Sequence, residues 1–175
     1  TVSNEYSLAL MTSLTSSSNY LVVDSKAVAS RLVTYLKENK LGRATFYPLD
    51  TMKPRNVYEE DLIKIKDNPS FIGILNNLVE YDPIYTNVIS NLIGNVLVVK
   101  DIDSANEISK ILNNKYKIVT LDGQVVNVGG SITGGDKIKT NDTIEARHNL
   151  EEYKNKLNIT LDNIKEKETI LQKRN

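Results

Sequence analysis

The chain has 175 residues, 40% hydrophobic and 25% charged, an ordinary globular composition long enough for one domain or two small lobes sharing a core. Basic and acidic residues balance at 22 each, so bulk charge does not announce a nucleic-acid partner, and the absence of cysteine excludes disulfides and thiolate metal sites or nucleophiles. Apolar runs such as Val96–Val99 are far too short to span a bilayer, and TVSNEYSLAL has neither the basic region nor the apolar run of a signal peptide. A chain that starts at Thr1 with no initiator Met reads as a fragment of a longer protein, and the absence of cysteine fits a reducing, intracellular setting.

From the N-terminus, Tyr6–Asp50 predicts a short apolar helix, a turn in the Thr/Ser run Thr12–Ser18, and a strand over Tyr20–Val23. An acidic turn and an amphipathic helix follow, with apolar positions at Val28, Leu32 and Leu36, then a strand over Ala44–Tyr47 that ends in Leu49-Asp50. Pro54 then breaks the chain. Tyr58–Ile65 predicts a short helix whose first turn carries Glu59, Glu60 and Asp61, where the helix dipole favours them. Pro69 and Pro83 bound a further segment, Phe71–Tyr81.

Tyr85–Gly123 repeats the order of the first unit. It predicts an apolar helix, a strand over Val96–Val99, and an amphipathic helix with Ile108, Ile111 and Leu112 on its apolar face. A strand over Lys117–Leu121 follows, closing in Leu121-Asp122. Two divergent copies predict a mixed α/β (α+β) fold of two similar lobes, each a small sheet carrying helices. Past Asn141 there is neither Gly nor Pro, and Leu150, Leu157, Ile164 and Leu171 recur every seven residues, with Tyr153 and Leu161 widening the stripe. That pattern predicts a coiled-coil helix with no second apolar face for a globular core.

The stretch VGGSITGGDK, Val128 to Lys137, holds four glycines in ten residues after an apolar run. It is no P-loop: counted from Gly130, Asp136 stands where the phosphate-binding Lys belongs, and the following hydroxyl is missing. The G-x-G-x-x-G dinucleotide pattern is absent too, so a small nucleotide-binding enzyme is the disfavoured alternative. Glycines after a strand also permit φ > 0, or keep a strand edge open to a second chain; sequence physics leaves a private turn and a docking edge both open.

Other chemistry is sparse. His148, the only histidine, lies on the predicted coil, which leaves no Ser/His/Asp constellation and no metal cluster in the globular part. Asp50 and Asp122 end matching strands and read as turn formers rather than a carboxylate pair. No catalytic residue, metal or cofactor is expected in this chain. Lys37, Lys40, Arg43, Lys53 and Arg55 bracket one strand, with Phe46 and Tyr47 nearby, and Lys137, Lys139 and Arg147 lie where the globe joins the coil. These groups are candidate non-specific DNA contacts.

LKENKLGRATFYPLDTMKPR (Leu36–Arg55) resembles the first signature of the hinge domain of SMC (structural maintenance of chromosomes) proteins. KYKIVTLDGQVVNVGGSITGG (Lys115–Gly135) resembles the second, and LIGNVLVVKDIDSANEI (Leu92–Ile108) matches the segment before it. The resemblance covers about Val2 to Gly135. It implies an SMC hinge over residues 1–140, with lobe one about 1–66 and lobe two about 67–140, and the start of a coiled-coil arm over 141–175. It also implies a non-catalytic dimerisation module in the middle of a long chain, with ATP hydrolysis in distant heads and each lobe pairing edge strands with the partner's opposite lobe. The setting implied is a nucleoid-associated chromosome condensation and segregation complex, a homodimer in prokaryotic members, that meets kleisin and accessory subunits only through the full-length protein. Carried over by motif, the contact glycines are Gly130, Gly134 and Gly135, with Gly94. Where the family often has Pro and a small polar residue, this chain has Val128 and Gly129.

Overall fold

The structure is a computed structural model, and it describes residues 1–135, 150, 154–157 and 159–160. The chain divides into two compact units, Thr1–Gly135 and Asp136–Asn175. In the second, the described residues are helical; heptad positions Leu150 and Leu157 are exposed, and Thr160 Oγ1 donates to the Lys156 carbonyl at 2.8 Å. Tyr153, Leu161, Ile164 and Leu171 lie outside the described residues.

The first unit opens with helix α1 (Asn4–Leu14), strand β1 (Leu21–Val23), helix α2 (Lys26–Glu38) and strand β2 (Phe46–Pro48). The Thr/Ser run expected to be a turn is helical through Leu14. From Thr15 on it is the expected turn, and its hydroxyls finish the helix: Thr15, Ser17 and Ser18 donate to the carbonyls of Met11, Leu14 and Thr15, groups a helix end leaves without partners. Ser25 caps α2 by accepting from the Val28 amide at 3.3 Å, and Asp50 accepts from the Lys26 amide at 2.9 Å, which makes Asp50 a cap. β1 and β2 pair in parallel, Leu21 beside Phe46, as a two-stranded sheet.

Helix α3 (Glu59–Ile65) and strand β3 (Phe71–Ile74) follow, then two 3₁₀ turns, helix α4 (Thr86–Ile93), strand β4 (Val96–Val99), helix α5 (Ile102–Ile111), and strands β5 (Lys117–Thr120), β6 (Val125–Val126) and β7 (Ile132–Thr133). The sheet order is β3-β4-β5-β6-β7, with β4 and β5 parallel and the other pairs antiparallel. Both parallel pairs therefore straddle an amphipathic helix, as the internal repeat predicts, and Asp101 caps α5 where Ser25 caps α2. Asp122 turns the β5–β6 hairpin: it accepts from Thr120 Oγ1, and from Gln124 Nε2 at 3.0 Å.

β4 is buried on both faces, which is why VLVV is apolar throughout. Leu97 and Val99 join Ile118, Val126, α5 and Ile65 of α3 in one core layer; Val96 and Val98 join Val119, Val125, Ile93 and Ala9 of α1 in the other. α1 and α3 thus pack on the larger sheet although both precede it in the chain. Each fully buried Leu or Ile contributes about 1.5–3 kcal/mol. The two-stranded sheet has no such layers: α2 buries no residue, and Leu21 and Val22 are 50% and 43% exposed.

Asp61 does more than meet a helix dipole. It is buried, accepts from Lys64 Nζ at 2.8 Å, Lys115 Nζ at 2.7 Å and Tyr116 Oη at 2.8 Å, and so ties α3 to the start of β5. Tyr116 Oη in turn accepts from the Tyr58 amide at 3.1 Å. The Lys115 ammonium, then Lys64 and the Tyr116 phenol, hold the Asp61 carboxyl far below the usual carboxylate range. In the unfolded chain an Asp takes up its proton near pH 3.9, so the cluster's stabilisation is complete above about pH 4 and fades as the pH falls below it. Asp61→Asn is expected to be less stable than the unchanged chain at pH 7, with the gap narrowing from pH 4 towards pH 2. Urea unfolding at several pH values checks this, and a gap independent of pH would contradict it.

Candidate functional site: a glycine-rich sheet edge

β6 and β7 form a hairpin around a tight turn in which the Gly130 amide donates to the Asn127 carbonyl at 2.9 Å and the Asn127 amide to the Ser131 carbonyl at 2.7 Å. Asn127 Nδ2 reaches Thr133 Oγ1 at 3.2 Å. Gly129 and Gly130 have φ of 85° and 92°, a region L side chains rarely adopt, so the turn requires glycine in this shape. β7 lies at the end of the sheet, and its outer edge carries no strand among the described residues. Val128 and Ile132 stand exposed beside it. This is a backbone edge with apolar side chains in solvent, the arrangement that accepts a further strand.

The four glycines named from the sequence do not share one role. Gly94 is buried at the end of α4, and a Cβ there would meet the Arg55 carbonyl oxygen at 2.1 Å. Its glycine serves a close approach within its own chain, and that corrects its placement with the edge glycines. The Arg55 segment is held there by the Arg55 amide on the Ser90 carbonyl at 3.2 Å and by Asn91 Nδ2 on the Lys53 carbonyl at 2.8 Å. Gly130, Gly134 and Gly135 do lie together at the β7 edge. Gly134 has ordinary φ, and the atoms nearest a Cβ there would be those of the Gln124 side chain, from 3.0 Å; backbone strain enters at Gly130 and Gly135 instead.

Lys37, Lys40 and Arg43 are exposed at the end of α2 and in the loop after it, and Lys53 and Arg55 are exposed in the loop after β2. Among the described residues none of the five forms an ion pair, and the ion pairs all converge on Asp61. Phe46 and Tyr47 are half-buried, and the Tyr47 ring lies tilted against that of Tyr20, with centroids 5.1 Å apart. Lys137, Lys139 and Arg147 lie outside the described residues. Arg55 lines an open cleft of about 570 Å³ with Tyr58, Asn95, Lys115 and Tyr116. Lys115 was not among the sequence candidates. Its ammonium is already committed, to Asp61 and over the Tyr58 ring at 4.1 Å from the centroid. Among the described residues no cluster of His, Asp or Glu has the makings of a metal site, and no helix is long and apolar enough to cross a membrane.

The family model of the flexible hinge domain of SMC proteins matches residues 1–109. The chain belongs to the SMC hinge family. This hinge is 41% identical to the chromosome partition protein Smc of Bacillus subtilis over 143 residues, which are 82% of this chain and 12% of that protein. It is 37% identical to the Smc of Mesomycoplasma hyorhinis, over 93% of this chain and 17% of that one. The hinge therefore spans a small part of the relatives it matches. Among solved structures, the asymmetric dimer of the Geobacillus stearothermophilus SMC hinge domain superposes with a TM-score of 0.80 at 40% identity, covering 93% of this chain and 65% of that one. The Pyrococcus furiosus SMC hinge gives 0.62 at 28% identity, covering 81% and 71%. The mixed sheet-and-helix fold expected from the sequence is the fold of these hinges.

Proposed function

We propose that this hinge joins two copies of its chain, each β7 edge docking on the smaller sheet of the other copy. The observation that carries the reading is the open β7 edge, whose glycine-shaped turn leaves room for a second backbone. The smaller sheet and its helix support it: Leu21 and Val22 of β1 and Val33 of α2 are about half exposed, apolar side chains that a single copy leaves in water. The similar Geobacillus stearothermophilus hinge was solved as an asymmetric dimer. In the full-length protein the hinge would join two coiled-coil arms, with ATP hydrolysis, kleisin and accessory subunits belonging to other parts of the chain. The assembly would partition chromosomes in the cytoplasm, on the nucleoid. The hinge itself has no catalytic part and takes no cofactor in this proposal.

Gly134→Asp tests the interface. Gly134 has unstrained φ and only a side-chain tip beside it, so the variant keeps its own fold while a carboxylate enters the docking edge. Sedimentation equilibrium should give a dimer for the unchanged chain and a dissociation constant at least about thirtyfold weaker for the variant, the size of a 2 kcal/mol interface residue. A variant that sediments as the unchanged chain removes Gly134 from the interface, and a chain that stays monomeric at high concentration removes the homodimer.

DNA contact is a second reading, supported by the exposed basic groups Lys37, Lys40, Arg43, Lys53 and Arg55, none of which forms an ion pair among the described residues. Duplex binding followed by anisotropy should weaken steeply with salt, and replacing Lys37, Lys40 and Arg43 by Gln should flatten that slope by roughly 0.9 per lost phosphate contact. Binding with no salt dependence, or an unchanged slope in the triple variant, would count against these residues.

A further inference from the structure

We infer that Asn114 is a positioning residue for the glycine-rich edge: it holds the Asn127–Ser131 turn in the shape in which β7 meets a second copy. This rests on the dimer reading above.

The geometry begins at the end of α5. Asn113 and Asn114 have φ of 53° and 55°, two successive left-handed residues where Asn is the side chain that tolerates the region best. The Asn113 amide donates to the Lys110 carbonyl at 3.1 Å and the Asn114 amide to the Ser109 carbonyl at 2.7 Å, the paired closure of a Schellman helix end. That closure turns the Asn114 carbonyl out towards the hairpin, where it accepts from the Gly129 amide at 2.9 Å.

The side chain is fixed as well. Buried Ser109 donates its hydroxyl to Asn114 Oδ1 at 2.9 Å. The carboxamide so held lies against Gly130, where a Cβ would stand 3.3 Å from it. One residue thus meets both glycines of the turn, its backbone binding Gly129 and its side chain abutting Gly130. Gly129 and Gly130 bring the freedom that lets the turn form, and with it an ensemble of other shapes. The bond from Gly129 to Asn114 ties that turn to another element, and a preorganised turn loses less entropy on association.

Four variants separate the roles: Asn114→Ala, Asn114→Asp, Ser109→Ala and, as a monomeric background, Gly134→Asp. Two quantities are read, the dimer dissociation constant by sedimentation and amide exchange across residues 127–133 in the Gly134→Asp background. Asn114→Ala should weaken the dimer about tenfold or more and speed exchange in the turn. Asn114→Asp keeps the acceptor and the tolerance for left-handed backbone, and should stay within about threefold of the unchanged chain. Ser109→Ala frees the carboxamide and should fall between them. If Asn114→Ala dimerises as tightly as the unchanged chain, or leaves exchange in the turn unchanged, the inference is overturned while the dimer stands. If the unchanged chain is monomeric, the dimer reading fails first and this inference with it. Should Asn114→Ala fail to fold, Ser109→Ala carries the same two readouts, and no change in either overturns the assignment.

Discussion

Two strands and one helix cannot enclose a core, and the smaller sheet of this hinge has little else. A helix on one face covers part of each strand, while a sheet this small needs more strands or a second cover to stand alone. The consequence is visible along the segment: no residue of α2 is buried, and Leu21, Val22 and Val33 stay about half in water. The larger sheet meets the same requirement within one chain. It gains β3, β6 and β7, takes α4 and α5 from its own repeat, and draws α1 and α3 from the first part of the chain. The proposed dimer follows from that asymmetry, since one half leaves apolar side chains in water and the other has an unpaired edge.

The larger sheet is a firm base for that edge. Its two core layers are filled by alternate residues of β4 and β5, and its surroundings are cross-tied by polar groups of distant origin. Asp61 gathers Lys64, Lys115 and Tyr116, while Lys117, half-buried and with its ammonium disfavoured by that burial, donates to the Ser13 carbonyl of α1 at 3.3 Å. Residues Asn114 to Lys117 thus meet the glycine turn, α3 and α1 in succession.

Local chemistry in the sequence was enough for much of this. The helix at Val28, Leu32 and Leu36, its counterpart at Ile108, Ile111 and Leu112, and the parallel strands around each are legible because apolar spacing and helix caps are local signals. Partners far along the chain leave no such mark. Asp61 looks like a first-turn acid, since Lys115 and Tyr116 lie some fifty residues away. Gly94 entered with the edge glycines through the family resemblance, and nothing near it in the sequence announces the Arg55 carbonyl above it. β6 and β7 are two residues each, too short to alternate. The edge glycines Gly130, Gly134 and Gly135 came from the family resemblance, and their spacing alone would have left a private turn equally open.

In the proposed dimer a second copy completes the smaller sheet. Amide exchange across residues 21–48, followed as a function of chain concentration, tests it most directly. Exchange in that segment is expected to slow as the dimer fills, while β4 and β5 stay protected throughout. Exchange across 21–48 that does not change with concentration while the chain dimerises would contradict it.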